Sequence, residues 1–168
     1  MHIANPKLSG GLSIRPSNPG DTPFLETLYH STRDDLRLAD ADDDYIEEII
    51  AMQFRAQSSG YGEQFPNAMY FVVEHLGERI GKLTLDFGTV EVRVVDLALV
   101  REARGKGIGA QVIQAVQQTA QQIMAPVTLS VAVNNVQAQQ LYQRMGFQLQ
   151  ESTPVTHHLV WFPSRPTV

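Results

Sequence analysis

Cysteine is absent from the 168 residues of the chain. Disulfide bonds, cysteine nucleophiles and thiolate metal ligands are therefore excluded, and the composition fits a reducing compartment. No apolar run approaches the roughly 18 residues that a membrane-spanning helix needs. The first residues, MHIANPKLSGG, lack the apolar segment of a signal peptide. We therefore expect a cytoplasmic protein with no membrane partner.

An excess of basic residues is also lacking. The chain has 13 Lys and Arg against 18 Asp and Glu, a formal net charge of −5, and its pI is about 5.5. Such a balance argues against a general nucleic-acid binder, which usually presents a basic face. The length and the hydrophobic fraction of 43% suit one soluble domain. We expect a loose leader over 1–11, one domain over 12–163 and a tail over 164–168.

Apolar spacing predicts an α/β chain of the α+β type, built on a mixed sheet. Proline and glycine mark the turns, and SSGYGEQFPN (58–67) is predicted to be a loop for that reason. The predicted order is a strand over 12–16, helices over 21–36 and 41–57, a hairpin over 69–88, a strand over 89–100, a helix over 107–122, a strand over 127–133, a helix over 134–146, and strands over 147–150 and 155–162.

The stretch LALVREARGKGIGAQVIQAVQQTA joins a predicted buried strand to an amphipathic helix. Gly105, Gly107 and Gly109 alternate in the connecting loop, where glycine lets the backbone approach a ligand closely. The first N–H groups of a helix are unpaired and attract anions. Arg104 and Lys106 add positive charge. The loop therefore predicts a site for a phosphate or pyrophosphate, bound mainly by backbone amides.

Two common nucleotide motifs do not fit this loop. The P-loop pattern G-x-x-x-x-G-K-[ST] does not occur in the chain. Residues 105–109 read G-x-G-x-G instead of the dinucleotide pattern G-x-G-x-x-G, and 119–124 contain no acidic residue to bind a ribose. A nucleotide-binding domain is therefore disfavoured.

Two other motifs do fit. RGKGIG (104–109), read as [Q/R]-x-x-G-x-[G/A], resembles the acyl-CoA loop of the GNAT N-acetyltransferase family. NVQAQQLYQRMGF (135–147) is similar to the N-x-x-A-x-x-L-Y-x-x-x-G-F helix of the same family. The two occur in the family's order and spacing, and the clear resemblance covers about residues 68–150.

The resemblance implies a single-domain GNAT fold, with a mixed, mostly antiparallel sheet flanked by helices. In this fold the fourth and fifth strands splay apart, and acyl-CoA lies in the gap. Here those central strands would be 89–100 and 127–133. The implied cosubstrate is acetyl-CoA, without a metal. The implied cofactor-binding residues are Leu97, Ala98 and Leu99 for the pantetheine arm, the amides of Arg104, Gly105, Lys106, Gly107, Ile108, Gly109 and Ala110 for the pyrophosphate, and Asn135 and Tyr142 near the pantetheine and the thiol.

The resemblance also implies an acyl-CoA-dependent N-acyltransferase that transfers acetyl to a primary amine by direct attack in a ternary complex. The hydroxyl of Tyr142 can donate a proton to the departing sulfur. A backbone N–H on the splayed strand can polarise the thioester carbonyl. The alternative is a non-catalytic acyl-CoA-binding or sensing domain, and Tyr142 favours the enzyme.

The general base is open at this stage. In several relatives an acid or histidine occupies the position of Arg93, which cannot act as a base near neutral pH. Asp96 is the first candidate, Glu91 the second, and a water relay without a single base is equally acceptable. Strict strand alternation puts Glu91 on the face of Arg93 and Leu97, with Asp96 on the opposite face. A bulge in this strand would change that assignment.

The acceptor pocket falls on FRAQSSGYGEQFPNA (54–68), a segment that often walls the pocket in this family. Phe54, Gln57, Tyr61 and Phe65 are the predicted acceptor-binding residues. The acceptor amine itself, whether a small molecule, a peptide or a protein, is not specified by the sequence.

Three further features have open interpretations. The acidic run over 40–48 is typical of solvated charge at a helix N-terminus, or else attracts a cationic amine. His157 and His158 are neighbours on a predicted strand and point to opposite faces, which disfavours a shared metal ion. Trp161 and Phe162 either pack on the sheet or form a partner surface, and a homodimer is compatible with the family.

Overall fold

The computed structural model describes residues 9–33 and 43–166. It has one mixed sheet of seven strands, ordered β1-β2-β3-β4-β5-β7-β6, in which only the pairing of β4 with β5 is parallel. The elements are β1 Leu12–Pro16, α1 Thr22–Ser31, α2 Asp43–Gln64, β2 Ala68–His75, β3 Glu78–Phe87, β4 Val92–Leu99, α3 Ile108–Gln122, β5 Val127–Ala132, α4 Val136–Arg144, β6 Gln148–Ser152 and β7 Thr156–Trp161. This order confirms the predicted fold class.

Helix boundaries differ from the prediction by more than two residues in two places. The loop predicted over 58–67 is wrong for most of its length, because α2 runs through it to Gln64. Serine and glycine lower helix propensity only modestly, and the helix already begun upstream outweighs that cost. The first helix, predicted over 21–36, ends at Ser31, and its last predicted residues lie outside the described residues.

The two faces of the sheet pack against different helices. On one face, Leu83, Leu85 and Val94 are buried with Val112 and Val116 of α3 in the main hydrophobic core. The opposite face holds α1 and α2, whose contact buries a smaller cluster of Tyr29, Ile46, Ile50 and Phe54. The sheet therefore separates the glycine loop at the start of α3 from α1 and α2.

A buried carboxylate fastens α1 to the sheet. Asp21 is fully buried and accepts hydrogen bonds at 2.8 Å from Arg15 of β1, Arg79 of β3 and the backbone N–H of Asn18. The hydrogen bonds from Arg15 hold the pKa of the Asp21 carboxyl well below its usual range. The sequence pattern predicts Asp21 or Thr22 as the N-cap of α1, but Asp21 makes no capping bond there because the arginines engage its carboxylate.

The splay that the resemblance implies lies between β4 and β5. The two strands pair only through Val92, Arg93 and Val94, which lie opposite residues 127–129 of β5. Beyond Val94 the described residues show no further pairing between these strands. The last residues of β4 therefore have a free edge toward β5.

A β-bulge in β4 changes which side chains share a face. Thr84 of β3 pairs with Asp96, while the next residue of β3 pairs with Val94, so Val95 is left over. The extra residue turns Leu97 into the main core and puts Asp96 on the face of Arg93. The assignment by strict alternation, which separates Asp96 from Arg93, is therefore wrong.

Candidate active site

The loop before α3 owes two of its three glycines to backbone conformation. Gly105 and Gly107 have φ of 73° and 79°, in the left-handed region that glycine adopts without strain. A Cβ at either position would meet no protein atom within 4 Å, so protein packing is not the reason for glycine. Gly109 lies in α3 itself, where a Cβ would come no closer than 4.0 Å to Leu99.

The N-terminus of α3 is uncapped. Gly107 occupies the N-cap position, offers no side-chain capping bond, and is followed by no acidic residue in the first turn. The first backbone bond back into the loop runs from Gln111 N–H to Gly107 O, at 3.1 Å. The amides of 108–110 therefore lack intrahelical acceptors and, with the helix dipole, favour an anion at this end.

Both sequence motifs line one cleft of about 450 Å³ beside this helix end. Eight of the predicted cofactor-binding residues are on its wall: Leu99, Arg104, Gly105, Gly107, Ile108, Gly109, Ala110 and Asn135. Leu97, Ala98, Lys106 and Tyr142 are not on its wall. The glycine loop and the second motif thus meet in space across the splay.

Arg144 is a cleft residue that sequence reasoning missed. It is exposed and lines the cleft from α4, together with Gln137, Ala138 and Leu141. Leu141 and Arg144 lie three apart, the spacing of residues on one helical face, and this spacing could have revealed it. With Arg104, it gives the cleft two arginines.

Two side chains order the walls of the cleft. Arg104 donates from Nε to the carbonyl oxygen of Leu99 at 3.1 Å, which joins the loop to the end of β4. Asn135 accepts a hydrogen bond from the N–H of Ala138 at 3.2 Å and caps α4, as its position before a helix predicts. Its cap role and its place on the cleft wall are thus both observed.

Leu97 and Ala98 contribute backbone at the end of β4. They pair with Leu83 and Lys82 of β3 on one side. On the other side, no described residue of β5 pairs with them, because the strands have already parted. This free edge can accept an extended, amide-containing ligand as an additional strand would pair.

Tyr142 lies in α4, half-buried against the main core. Its ring meets that of Phe147 edge-on, with centroids 5.6 Å apart. Burial raises the pKa of the Tyr142 hydroxyl, which keeps the phenol protonated at neutral pH. Tyr142 therefore packs as a core aromatic residue and also has the protonated form that a proton donor requires.

The two candidate bases lie apart. Asp96 is half-buried on the face of α1 and α2, and its Oδ2 lies 2.8 Å from Lys82 Nζ. Glu91 precedes β4 in a turn closed by the N–H of Gly88 bonding to Glu91 O at 3.0 Å, at the opposite end of the strand from the glycine loop. Lys82 is the partner that an acid in this apolar strand requires, and no local pattern reveals it.

A smaller cavity of about 130 Å³ lies between α1, α2 and the sheet. Phe54 and Gln57, two of the predicted acceptor-binding residues, are on its wall. Phe65 is half-buried and not on that wall, and the side chain of Tyr61 lies outside the described residues. The remaining wall residues are Ser17, Leu25, Tyr70, Phe71, Lys82 and Thr84.

Residues 9–33 and 43–166 contain no group of three or more His, Cys, Asp or Glu side chains suited to bind a metal ion. His157 and His158 contact different serines, Ser152 and Ser130, each at 2.7 Å. None of the described helices is both long and apolar enough to cross a membrane.

Comparisons with known families and proteins agree with the resemblance of the glycine loop and of the motif over 135–147. The model of the acetyltransferase (GNAT) family matches residues 25–147. An uncharacterized N-acetyltransferase of Methanocaldococcus jannaschii is 28% identical over 127 residues, which cover 70% of this chain and 80% of that protein.

Solved structures share the fold at low sequence identity. The PaiA N-acetyltransferase of Thermoplasma acidophilum, in complex with coenzyme A, has a TM-score of 0.68 and 15% identity, covering 90% of this chain and 98% of the other. The spermidine N-acetyltransferase of Vibrio cholerae, with coenzyme A and spermine, has a TM-score of 0.65 and 18% identity, covering 90% of this chain and 95% of the other. An acetyltransferase of Elizabethkingia anophelis with acetyl-CoA bound has a TM-score of 0.61 and 17% identity, covering 90% of this chain and 98% of the other.

Proposed function

The chain belongs to the GNAT acetyltransferase family, and we propose that it transfers an acetyl group from acetyl-CoA to a primary amine in a ternary complex. The observation that carries this proposal is the cleft shared by the two motifs, at the point where β4 and β5 part. The coenzyme A and acetyl-CoA complexes of the structural neighbours support the same cosubstrate.

The residues of the cleft fit the cosubstrate chemically. The uncapped amides of 108–110, with Arg104 and Arg144, provide hydrogen-bond donors and positive charge for the pyrophosphate. The free edge of β4 over 97–99 supplies backbone groups for the amides of the pantetheine arm. Lys106 is exposed within the glycine loop and adds positive charge next to the cleft.

The chemistry divides between two side chains. Bound acetyl-CoA supplies a thioester, and transfer forms the nitrogen–carbon bond as the carbon–sulfur bond breaks. Tyr142, protonated because burial raises its pKa, is the proposed proton donor to the leaving sulfur. Asp96 is the proposed acceptor of the amine proton, directly or through water, with its carboxylate held by Lys82.

Asp96 is preferred to Glu91 on position. Asp96 pairs with Thr84, a wall residue of the cavity that also contains Phe54 and Gln57. Glu91 lies at the far end of β4. The cavity at Phe54 and Gln57 is the proposed contact for the acceptor's side chain, and its mostly apolar wall suits a compact apolar group.

The proposal is tested by the release of free thiol from acetyl-CoA in the presence of primary amines. The protein has no cysteine, so its own thiols contribute no background. Amine-dependent thiol release, together with a mass gain of one acetyl group on the amine, supports the enzyme. Tight acetyl-CoA binding without amine-dependent release of thiol would favour the alternative, a non-catalytic binding domain. Arg93, which occupies the usual position of the base, is the one sequence feature in favour of that alternative.

A further inference from the structure

Arg93 lies where the two central strands part. It pairs with Thr128 of β5, one residue before the last pair of the two strands. Its guanidinium donates from Nη2 to Ser130 Oγ on β5, at 2.8 Å. Its partner on β3 is Asp86, yet the two form no ion pair. The arginine is therefore directed toward β5 and the splay.

Among the described residues Arg93 has one side-chain hydrogen bond and no ion pair. The side chain is half-buried, and no carboxylate of the described residues forms an ion pair with it. The hydrogen bond to Ser130 uses one of the five N–H donors of the guanidinium. The rest of the planar fork has the geometry that binds a carboxylate through two parallel hydrogen bonds.

A hydrogen-bond chain fixes the arginine in this direction. Arg93 can only donate, so Ser130 Oγ accepts from it. The same oxygen lies 2.7 Å from His158 Nδ1 on β7, within hydrogen-bond distance. Three strands, β4, β5 and β7, thus share in holding one cation in place.

Arg93 also shares a face with the proposed chemistry. The bulge at Val95 brings Asp96, the proposed proton acceptor, onto the same side of β4 as Arg93. The cavity that contains Phe54 and Gln57 lies on this side of the sheet as well. A ligand whose amine lies near Asp96 is therefore within the neighbourhood of the unpaired guanidinium.

We propose that the acceptor of this acetyltransferase is an amine that carries a carboxylate, and that Arg93 binds that carboxylate. The inference rests on the proposed function and specifies its substrate class. Arg93 acts here as a specificity-determining residue, because it contacts a part of the acceptor that does not react. A cationic polyamine, as found with the Vibrio cholerae neighbour, would meet repulsion at this position.

The test compares acceptors in matched pairs. Glycine, β-alanine and γ-aminobutyrate are each assayed against their carboxamides, with phosphoethanolamine and spermidine in parallel, by thiol release. A charge-assisted hydrogen bond contributes about 1.5–3 kcal/mol, so the carboxylate member of the best pair should have a kcat/KM about 10- to 100-fold higher. Most of the difference should lie in KM, because the carboxylate does not take part in the reaction.

The variants separate charge from folding. Arg93→Gln should reduce the ratio within the best pair to less than about 3-fold, because a neutral amide loses the charge-assisted bond. Arg93→Lys keeps the charge without the planar fork and should give an intermediate ratio. Arg165→Gln, at an exposed arginine after β7, is the matched control and should keep the wild-type ratio.

Each other outcome overturns a defined part of the proposal. Equal rates within every pair, a ratio that survives Arg93→Gln, or a preference for spermidine or phosphoethanolamine would overturn the carboxylate assignment alone. The assignment is likewise overturned if acetyl-CoA binds but the carboxylate amines give neither result: none is acetylated, and none binds the CoA-saturated protein in calorimetry. Failure to bind acetyl-CoA at all would instead contradict the proposed function.

Discussion

Lys82 Nζ lies 2.8 Å from Asp96 Oδ2, across the β3–β4 pairing and next to the bulge at Val95. The same ammonium lies 5.8 Å from the centre of the Tyr29 ring on α1. A carboxylate within an apolar strand is thereby paired, and it is joined to the helix that covers this face. The proposed proton acceptor is held in place by Lys82 of β3, which itself contacts Tyr29 of α1.

Asp96→Asn should lower kcat by about 10²- to 10⁴-fold, the usual contribution of a positioned acid or base. The amide keeps the size of the side chain and a hydrogen-bonding group but cannot accept the amine proton. Steady-state rates with a saturating amine measure the effect. Glu91→Gln is the matched control at the far end of the same strand and should retain wild-type rates. A loss of similar size in Glu91→Gln would contradict the assignment.

Tyr142→Phe should lower kcat by about 10²-fold or more through loss of a proton donor. The melting temperature should change little, because the phenylalanine ring keeps the packing against Phe147. The pKa of Tyr142 is raised, so the donor is protonated below that pKa and the rate should fall only as the pH rises above the usual tyrosine range. Full activity in Tyr142→Phe would remove the tyrosine from the mechanism.

The parts of the site that the sequence predicted are local. The glycine loop and α4 are each predicted by a motif of residues close together in the chain, one around Gly107 and the other beginning at Asn135. The Lys82–Asp96 pair and the bulge depend on the register between strands, which leaves no local signal. The continuation of α2 to Gln64 runs against the local signal, because the serines and glycines of 58–62 favour a loop while the helix formed upstream continues through them.

Gly109→Ala tests whether the glycine at the start of α3 is there for ligand binding and not for backbone conformation. A methyl group at this helical position has room and should leave the protein as stable or up to about 1 kcal/mol more stable. Acetyl-CoA affinity should nevertheless fall if the pyrophosphate contacts the backbone here. Thermal melting and calorimetric titration measure the two effects on the same samples. Unchanged affinity would place the pyrophosphate elsewhere in the cleft.

Asp21→Asn should destabilise the fold by about 1.5–3 kcal/mol, because the charge-assisted hydrogen bonds to Arg15 and Arg79 are lost while both arginines keep access to solvent. The folded-state pKa of Asp21 is lowered, so its contribution to stability is complete above the unfolded pKa of about 3.9 and is lost as the pH falls from there toward the folded value. Denaturant unfolding between pH 7 and pH 2 measures this. The variant should lose less stability with acid than the wild type; parallel curves would show that Asp21 is not the responsible group.

The most direct test of the acyl-CoA cleft is a calorimetric titration of the protein with acetyl-CoA, with ATP as the matched phosphate ligand and Gly107→Glu as the matched variant. We expect that acetyl-CoA binds the wild type, that ATP binds far more weakly, and that Gly107→Glu abolishes acetyl-CoA binding because its carboxylate repels the pyrophosphate from the start of α3. No binding of acetyl-CoA to the wild type, or equal affinity in the variant, would contradict the assignment of the cleft.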